Sequence, residues 1–352
     1  MNIQRLHGGN FVIAPTKNSW ETRGTSNSGA VFLEHDEAIF DIVERVLGYR
    51  IRDDERLKDG LVICLYSANG VLPSDPVSRQ RRGLAALSPE LELCYRHNKP
   101  ILSPDTGEDS VDLLGIEDAR VTYTDGKFFI WYCGYNGKYG MPCCAWSTDL
   151  IRWTKIAPLT GGLGEHENKD HVIFPYMYDN KWWMLHRPWG HEIPDANNYV
   201  IRLASAPTPY GPWEDKGEAV RGIPDSRKRI SWVGGGAVPL RIADGKYFVL
   251  YHNGCFFHDG YREYDACACI IDLSRYGEYG AGGVVVDRLE PLMIPETENE
   301  KNADLRIDII FPMSAHVYKD KLYFLYGAGD KATCAAYIPV SEIEETFEIK
   351  LT

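Results

Sequence analysis

The segment GIEDARVT, residues 115–122, places Glu117, Asp118 and Arg120 in a short apolar setting directly before YTDGKFFIWY, which reads as a turn and a strand. Asp118 is a candidate general acid, because cleavage of a glycosidic bond needs a carboxylic acid at the leaving oxygen. We interpret Arg120 as a structural residue that holds this loop by an ion pair. The segment therefore predicts one acid on a fixed loop.

Four basic side chains stand at comparable positions near the ends of predicted strands. They are Arg81 in RQRRGLA, Lys169 in ENKDHVIFP, Arg187 in MLHRP and His252 in LYHNG. Each could pair with its own carboxylate, and Asp170 beside Lys169 is an available partner. Four cations that meet around one site would repel one another unless an anion lay between them, and phosphate suits Arg and Lys donors. Taken together, they favour an anion site.

An acid facing cations indicates a particular kind of glycosidic cleavage. An inverting hydrolase needs a second carboxylate to activate water. Phosphate arrives ionised and needs no such base, so one carboxylate and a group of cations suffice for a phosphorylase. These residue types therefore predict attack by phosphate, which would be a co-substrate, and no cofactor.

The elements that must position these residues come from a repeated phrase. A turn with Asp, Asn, Gly or Lys precedes a β-rich apolar run that ends in an aromatic residue, and a polar loop follows. The copies are KDGLVICLYSA (59–69), TDGKFFIWYCGY (124–135), YDNKWWMLHRP (178–188), ADGKYFVLYHNG (243–254) and YKDKLYFLYGAG (318–329). Most are followed by a second, Ala-rich strand. Five such units predict an all-β fold, a five-bladed β-propeller, in preference to an irregular pair of β-sandwiches.

One helix is expected, as an insertion in the first blade. In DEAIFDIVERVLGYRIRDDERLKDG the residues Ile39, Ile42, Val43 and Val46 share one face, and Gly60 can end the segment. Nothing marks a domain boundary, so we expect a single catalytic domain over residues 1–352. In a propeller, loops at one end of the central channel supply the site, so distant strand ends should meet there.

Composition excludes several classes of partner. The formal net charge is -12 and the Lys and Arg residues form no basic face, which argues against nucleic acid and anionic membranes as partners.

The N-terminus does not resemble a signal peptide and no apolar run could span a bilayer, so we expect a cytoplasmic protein. The nine cysteines are expected as buried thiols; their spacing does not predict a metal site.

Two tryptophans are candidates for contact with a sugar ring. Trp189 and Trp232 are flanked by Gly or Pro, whereas the other tryptophans alternate within predicted strands and are expected in the core. WVGGGAVPL is glycine-rich, but neither a helix nor a P-loop Lys follows it, so it is a weak nucleotide-binding signal.

The sequence resembles glycoside hydrolase family 130, the β-mannoside phosphorylases and related β-mannosidases. The motifs that carry the resemblance are, in order, SNSGAVFL, GIEDARVT, ENKDHVIFPYMYDNKWWMLHRP, WVGGGAVPL, LYHNG and YGAGD. They extend over about residues 20–340 and keep the order and approximate spacing of the family.

The resemblance implies a five-bladed β-propeller and inverting phosphorolysis of a β-mannoside, which gives α-mannose 1-phosphate and a shortened acceptor. It implies that Asp118 is the general acid, acting through the mannose 3-hydroxyl as a proton relay. The implied phosphate ligands are Arg81, Lys169, Arg187 and His252. The expected substrate-binding residues are Asn27, Glu117, Asp170, Trp189, Trp232 and Asp330.

Alternatives stay open at this point. The insertion between Phe40 and Gly60 changes the spacing to Arg81, and RRGLA does not settle whether Arg81 or Arg82 faces the site. Some members of the family are hydrolases, in which case Glu165, Glu167 or Asp170 could act as the base of an inverting β-mannosidase. A glycan-binding propeller without catalysis is a further alternative. The linkage, the acceptor sugar and the oligomeric state are left open, with the insertion a plausible contact in a homo-oligomer.

Overall fold

The structure is a computed structural model that describes residues 1–351, and its architecture is dominated by β-strands. The strands are, in chain order, β1 (Gln4–Arg5), β2 (Gly29–Glu34), β3 (Gly60–Leu72), β4 (Asp75–Leu87), β5 (Leu93–Arg96), β6 (Gly115–Thr124), β7 (Lys127–Tyr135), β8 (Gly140–Ser147), β9 (Thr154–Ile156), β10 (Asn168–Ile173), β11 (Trp182–Pro188), β12 (Ile201–Ala206), β13 (Glu214–Val220), β14 (Lys228–Gly235), β15 (Leu240–Ala243), β16 (Lys246–Phe257), β17 (Arg262–Asp272), β18 (Val285–Met293), β19 (Lys301–Asn302), β20 (Ile307–Tyr318), β21 (Lys321–Ala328) and β22 (Ala332–Pro339). The α-helices are α1 (Glu37–Leu47), α2 (Tyr276–Tyr279) and α3 (Val340–Phe347). The predicted all-β class is confirmed.

Antiparallel pairing arranges the strands in five sets. The sets are β2 to β5; β6 to β9; β10 to β13; β14, β16, β17 and β18; and β20, β21, β22 and β1. The short strands β15 and β19 add to β16 and β20. The five copies of the repeated phrase each supply the second strand of a set, namely β3, β7, β11, β16 and β21.

Apolar clusters lie between consecutive sets. Leu65 of the first set and Ile130 of the second share one cluster, and further clusters join the second to the third, the third to the fourth and the fourth to the fifth. Cys64 of the first set and Leu325 of the last share another cluster, so the first and last sets also pack against each other. The N-terminal strand β1 pairs with β22 and thereby completes the last set with the start of the chain.

Two parallel contacts extend the hydrogen bonding between sets. Gln80 of β4 pairs with Gly115 of β6, and residues 262–264 of β17 pair with residues 307–309 of β20. The first contact brings Gln80 beside the start of the GIEDARVT segment. The second holds the start of β17 against the last set, a proximity that the sequence did not reveal.

The predicted helix is α1, inserted between β2 and β3. Its N-cap Asp36 accepts a hydrogen bond from the backbone N–H of Ala38, and Gly48, at φ 82°, ends it in the left-handed conformation that glycine adopts readily. The helix therefore ends well before the predicted stop at Gly60. Phe40 and Val43 are buried in the cluster between the first two sets.

Replacement of Phe40 by Ala is expected to lower the free energy of unfolding by about 3 to 5 kcal/mol, because a fully buried aromatic side chain would leave a cavity. The measurement is chemical denaturation, with Arg45→Ala on the exposed face of α1 as the control. A loss no larger than that of the control would show that α1 is not anchored in the core.

Eight of the nine cysteines are buried, Cys94 is partly buried, and none of them forms a disulfide within residues 1–351. Cys143 and Cys267 pack in apolar clusters, as expected for buried thiols. In the same part of the chain, none of the helices combines the length and the apolar character that crossing a membrane requires.

Candidate active site

A cavity of about 290 Å³ is lined by residues that belong to, or directly adjoin, all five strand sets. We call it the active-site cavity. Eight of the eleven predicted site residues line it: Asn27, Glu117, Asp118, Lys169, Asp170, Arg187, His252 and Asp330. The lining also includes Ser26, Asn69, Gln80, Arg262, Tyr264, Ile309 and Phe311. Residues far apart in sequence thus meet in one cavity, as predicted, although Asp118 and His252 lie within their strands and not at the strand ends.

Local backbone geometry directs four of these side chains. Asn27, Asp118, Asp170 and Asp330 all have positive φ, between 49° and 58°, which is uncommon for residues other than glycine. In β6 and β10 the strand register breaks where Asp118 and Asp170 stand. Such bulges re-aim a side chain, and here both carboxylates line the same cavity.

Asp118 lies between an amide and an ammonium group. Asn27 Nδ2 donates a hydrogen bond to Asp118 Oδ1 at 2.7 Å, and Lys169 Nζ is 3.6 Å from Asp118 Oδ2. Oδ1 therefore accepts a hydrogen bond from a neutral donor, while Oδ2 faces a positive charge. Both contacts favour a carboxylate at this position and fix its orientation in the cavity.

Two further carboxyl groups make this side of the cavity acidic. Burial, together with the negative charge of Asp118, raises the pKa of Glu117 against the opposing effect of Lys169. Burial and Asp118 likewise raise the pKa of Asp330. Both residues therefore tend toward the neutral form, in which a carboxyl group can donate as well as accept hydrogen bonds.

A second group of charges in the cavity is built around Asp170. Arg187 donates to Asp170 Oδ2 through Nε and Nη2, both at 2.7 Å, and Arg120 Nη1 lies 3.5 Å from Oδ1. Burial by itself would raise the pKa of Asp170, but Arg187, His252, Arg120 and Lys169 together hold it well below its usual range. Asp170 is therefore ionised, and it orients Arg187 at the cavity wall.

Arg120 has the structural role predicted for it, with different partners. Its guanidinium is fully buried and donates to the carbonyl oxygens of Asp118, Gly235 and Gly236. Its charged neighbour is Asp170 rather than Glu117. Arg120 thus connects the strained Asp118 backbone to β14.

The structure changes the interpretation of His252. Burial, together with the nearby positive charges of Arg187 and Arg120, lowers its pKa to about 3 despite the proximity of Asp170. The ring lies 4.3 Å from that of Phe311 and is neutral at neutral pH. His252 therefore lines the cavity as a hydrogen-bonding group and not as the fourth cation.

Arg81 does not lie where the sequence analysis placed it. Its Nη2 contacts Asp75 Oδ2 at 2.6 Å and its Nη1 donates to the carbonyl of Gly70, so the side chain is engaged outside the active-site cavity. Arg82 is also buried, and it donates to the carbonyl oxygens of Asn27 and Ile116. Neither arginine lines the cavity, and Arg82 supports the backbone beside Asn27 and Glu117.

The two predicted tryptophans lie behind the lining. The Lys169 ammonium is 4.7 Å from the centre of the Trp189 ring, a cation–π contact that positions Lys169. Trp232 is buried and its ring packs edge-on against Tyr264, with ring centroids 5.5 Å apart. Both therefore support lining residues, because the cavity-facing positions are taken by Lys169 and Tyr264.

Arg262 and Tyr264 are lining residues that the sequence analysis missed. They stand at the start of β17, which the parallel contact with β20 brings to the cavity. The Arg262 guanidinium lies over two aromatic rings, 5.9 Å from the centre of Phe256 and 5.7 Å from that of Tyr264. The only signal in the sequence was the polar opening of an otherwise apolar strand, REYDACACII.

Gly234 leaves the space that Asp170 and His252 occupy. A β-carbon at this position would lie 2.3 Å from Asp170 Oδ2 and 2.4 Å from His252 Cε1. We expect Gly234→Ala to displace both side chains and, for the phosphorylase that the sequence predicts, to raise the KM for phosphate about tenfold, which corresponds to about 1.4 kcal/mol of binding free energy.

The measurement for Gly234→Ala is the KM for phosphate, with Gly222→Ala as the control. The β-carbon of that control would meet Val233 Cγ1 at 3.6 Å, an ordinary contact. Equal phosphate KM values in the two variants would show that the space at Gly234 does not matter to the site.

Candidate metal ligands are scattered over the described part of the chain. Within residues 1–351, no three or more His, Cys, Asp or Glu side chains are grouped so that they could hold a metal ion. The groups that the active-site cavity itself presents are four carboxyl groups, three cations and neutral hydrogen-bonding side chains.

The chain matches known proteins over most of its length. A family model described as beta-1,4-mannooligosaccharide phosphorylase matches residues 77–348. The 1,2-beta-oligomannan phosphorylase of Thermoanaerobacter sp. (strain X514) is 25% identical over 353 residues, covering 98% of this chain and 99% of that protein. The beta-1,2-mannobiose phosphorylase of Listeria innocua serovar 6a is 27% identical over 256 residues, covering 72% and 64%.

Solved structures show the same fold. The complex of the Listeria innocua beta-1,2-mannobiose phosphorylase with beta-1,2-mannobiose has a TM-score of 0.70 at 20% identity, with 99% of each chain covered. A second structure has a TM-score of 0.72 at 20% identity, with 97% of this chain and 94% of that chain covered. Its description says that the GH130 family of mannoside phosphorylases contains glycoside hydrolases that target beta-1,2 mannosidic linkages in Candida mannan. The fold, the order of the motifs and the family model agree, and the chain belongs to glycoside hydrolase family 130.

Proposed function

We propose that this enzyme catalyses the inverting phosphorolysis of β-mannosides, with α-mannose 1-phosphate and a shortened acceptor as products. The observation that carries the proposal is the arrangement of the active-site cavity. Asp118 lies in it with Lys169 Nζ 3.6 Å from its Oδ2, and Arg187 lines the same cavity next to an Asp170 that is already committed to Arg187. The proposed substrates are thus a β-mannosyl oligosaccharide and inorganic phosphate.

The proposed step moves one proton and exchanges one bond. A phosphate oxygen bonds to C1 of the mannosyl residue while the bond from C1 to the glycosidic oxygen breaks, and the departing oxygen receives a proton that originates at Asp118. Following the family resemblance, the mannose 3-hydroxyl relays this proton. Attack from the face opposite the leaving group converts the β-linkage into the α-phosphate.

The cations of the cavity bind the attacking phosphate. Lys169 supplies a point charge and Arg187 a planar donor group, and we add His252 and Tyr264 as neutral donors and Arg262 as a third cation. Asn27, Glu117 and Asp330 hold the mannosyl hydroxyls on the acidic side. Arg81, Trp189 and Trp232 are left out of direct contact with substrate.

Hydrolysis is the second candidate, since the family includes hydrolases. It requires a base for water, and three carboxylates were considered. Glu165 is exposed, and Glu167 accepts hydrogen bonds from the backbone N–H and Nδ1 of His191; neither lines the cavity. Asp170 does line it, but its contacts with Arg187 and Arg120 oppose proton uptake. The geometry therefore favours phosphate over water.

The deciding experiment measures free mannose and mannose 1-phosphate from β-1,2-, β-1,3- and β-1,4-linked mannobiose, with and without inorganic phosphate. We expect mannose 1-phosphate only when phosphate is present. The β-1,2 substrate is our first choice because the curated relatives carry that linkage in their names, whereas the family model is described by β-1,4. Free mannose at equal rates in both conditions would establish a hydrolase instead.

The proposal also includes the architecture that serves this reaction. We infer that the five strand sets are the blades of a five-bladed β-propeller that forms a single catalytic domain, with the cavity at one end of its central channel. Five sets, each containing one copy of the repeated phrase and joined by five apolar clusters, support this inference. We place the reaction in the cytoplasm, and a homo-oligomer through α1 stays a prediction.

A further inference from the structure

A second cavity, of about 740 Å³, adjoins the strand pair β16–β17 on the face opposite the active-site cavity. Successive residues of a strand point to opposite faces. His252 and Tyr264 line the active-site cavity, whereas their neighbours Asn253 and Asp265 line the second one. The two cavities are therefore separated by a single layer of backbone.

Asn253 and Asp265 are directly opposite each other in the antiparallel ladder, and each is only 5% exposed. The Oδ1 atom of each is fully buried and has no hydrogen-bond partner in any residue from Met1 to Leu351. Buried polar groups nearly always have partners, because leaving one unpaired costs about 1 to 3 kcal/mol. Two such groups side by side call for a ligand.

The charges around this pair are mixed in sign. Glu290 binds the Tyr251 hydroxyl through Oε2, while its Oε1 atom is buried and has no partner in residues 1–351. Burial and the neighbouring Glu263 raise the pKa of Asp265 to about 7. Lys228 brings an ammonium group to the same lining. A simple cation would meet Lys228, and a simple anion would meet the carboxylates.

The rim of the second cavity is apolar. Ile223 and Ile294 are 49% and 46% exposed, and Phe257 stands beside them in the lining. Hydroxyl groups both donate and accept hydrogen bonds, and a sugar ring also presents apolar C–H surface. A neutral sugar therefore matches both the polar floor and the apolar rim, and the volume lies within the range of ligand pockets.

We propose that the second cavity is an accessory binding site for a mannosyl residue of an oligosaccharide, separate from the site of reaction. Hydroxyl groups of the sugar donate to Asp265 and Asn253 and accept from Lys228, while its C–H face packs against Ile223 and Ile294. The identity of the sugar as mannose rests on the proposed function. The polar groups of Asn253 and Asp265, and the inference that the ligand is neutral, do not depend on the proposed function.

The test is isothermal titration of β-1,2-mannobiose into Asp118→Asn protein in phosphate-free buffer, where turnover is blocked. We expect two binding sites per chain. Adding Asp265→Leu should leave one binding site, or weaken binding at the second site at least tenfold. It should not lower the melting temperature, because the Asp265 carboxylate has no hydrogen-bond partner that its removal would leave unpaired. Ile223→Asp, at the exposed rim of the second cavity, should have the same effect on binding without disturbing the core. The control is Ile151→Asp, at an equally exposed position elsewhere on the surface, which should leave two binding sites.

One site in the Asp118→Asn protein, or two sites unaffected by both Asp265→Leu and Ile223→Asp, would overturn the accessory site. Saturable binding of spermidine or sulfate in place of the sugar at Asp265 would overturn the neutral-sugar assignment. A failure of the proposed function gives a different result. In that case mannobiose and phosphate would yield no mannose 1-phosphate with the wild-type protein, whatever the titration shows.

Discussion

Asp118→Asn is expected to lower kcat for phosphorolysis of a β-mannobiose by about 10²- to 10⁴-fold, the range that a general acid contributes. An amide is nearly isosteric with the carboxyl group, so the substituted side chain can keep the contact with Asn27, but it cannot supply the proton that the leaving oxygen needs. Steady-state measurement of mannose 1-phosphate release provides the value.

A substrate with a good leaving group separates acid catalysis from simple damage to the site. The phenolate of 4-nitrophenyl β-mannoside needs little protonation, so the same variant should lose much less activity toward it. Glu165→Gln is the matched control, since that carboxylate is exposed and does not line the cavity. Equal losses toward both substrates would mean that Asp118 positions the sugar and is not the acid.

Lys169→Met is expected to raise the KM for phosphate about 10- to 100-fold while changing the KM for the mannoside much less. Methionine keeps an unbranched stem of similar shape but lacks the ammonium group, and one charge-assisted hydrogen bond contributes about 1.5 to 3 kcal/mol. The rate is measured against phosphate concentration at saturating mannoside, and then with the two exchanged.

The control for Lys169→Met is Lys319→Met, which removes one positive charge from an exposed turn between β20 and β21. An equal rise in both KM values for Lys169→Met would argue against a phosphate site. If the dependence on phosphate disappeared altogether while free mannose accumulated, the variant would have become a hydrolase, and Lys169 would be a determinant of which nucleophile attacks.

The contact network around Asp170 explains why a cavity with several cations is stable before an anion enters. Asp170 lies against Arg187 and Arg120, and its ionised carboxylate offsets part of their charge, while the neutral His252 ring lies beside them. Arg187 is thereby held at the wall, and Lys169 is held near Asp118. Phosphate would meet donors that are already oriented, which limits the entropy lost on binding.

Much of the fold could be predicted from the sequence because its repeated phrase is local. A turn residue followed by a β-rich apolar run specifies one strand wherever it occurs, and each copy forms the second strand of a set. The amphipathic pattern of α1 is local as well, although Gly48 and not Gly60 ends the helix. The parallel contacts of β4 with β6 and of β17 with β20 were not predicted, since they join residues far apart in sequence.

The sequence by itself determined the family, the repeated strands and most of the residues that meet in the cavity, including Asp118, Lys169 and Arg187. Only the tertiary structure decided which neighbour faces inward, because adjacent residues of a strand point to opposite sides and a single bulge reverses the assignment. Arg81 therefore turns to Asp75, while Arg262 reaches the cavity from β17. Burial, which likewise depends on the assembled sets, made His252 neutral.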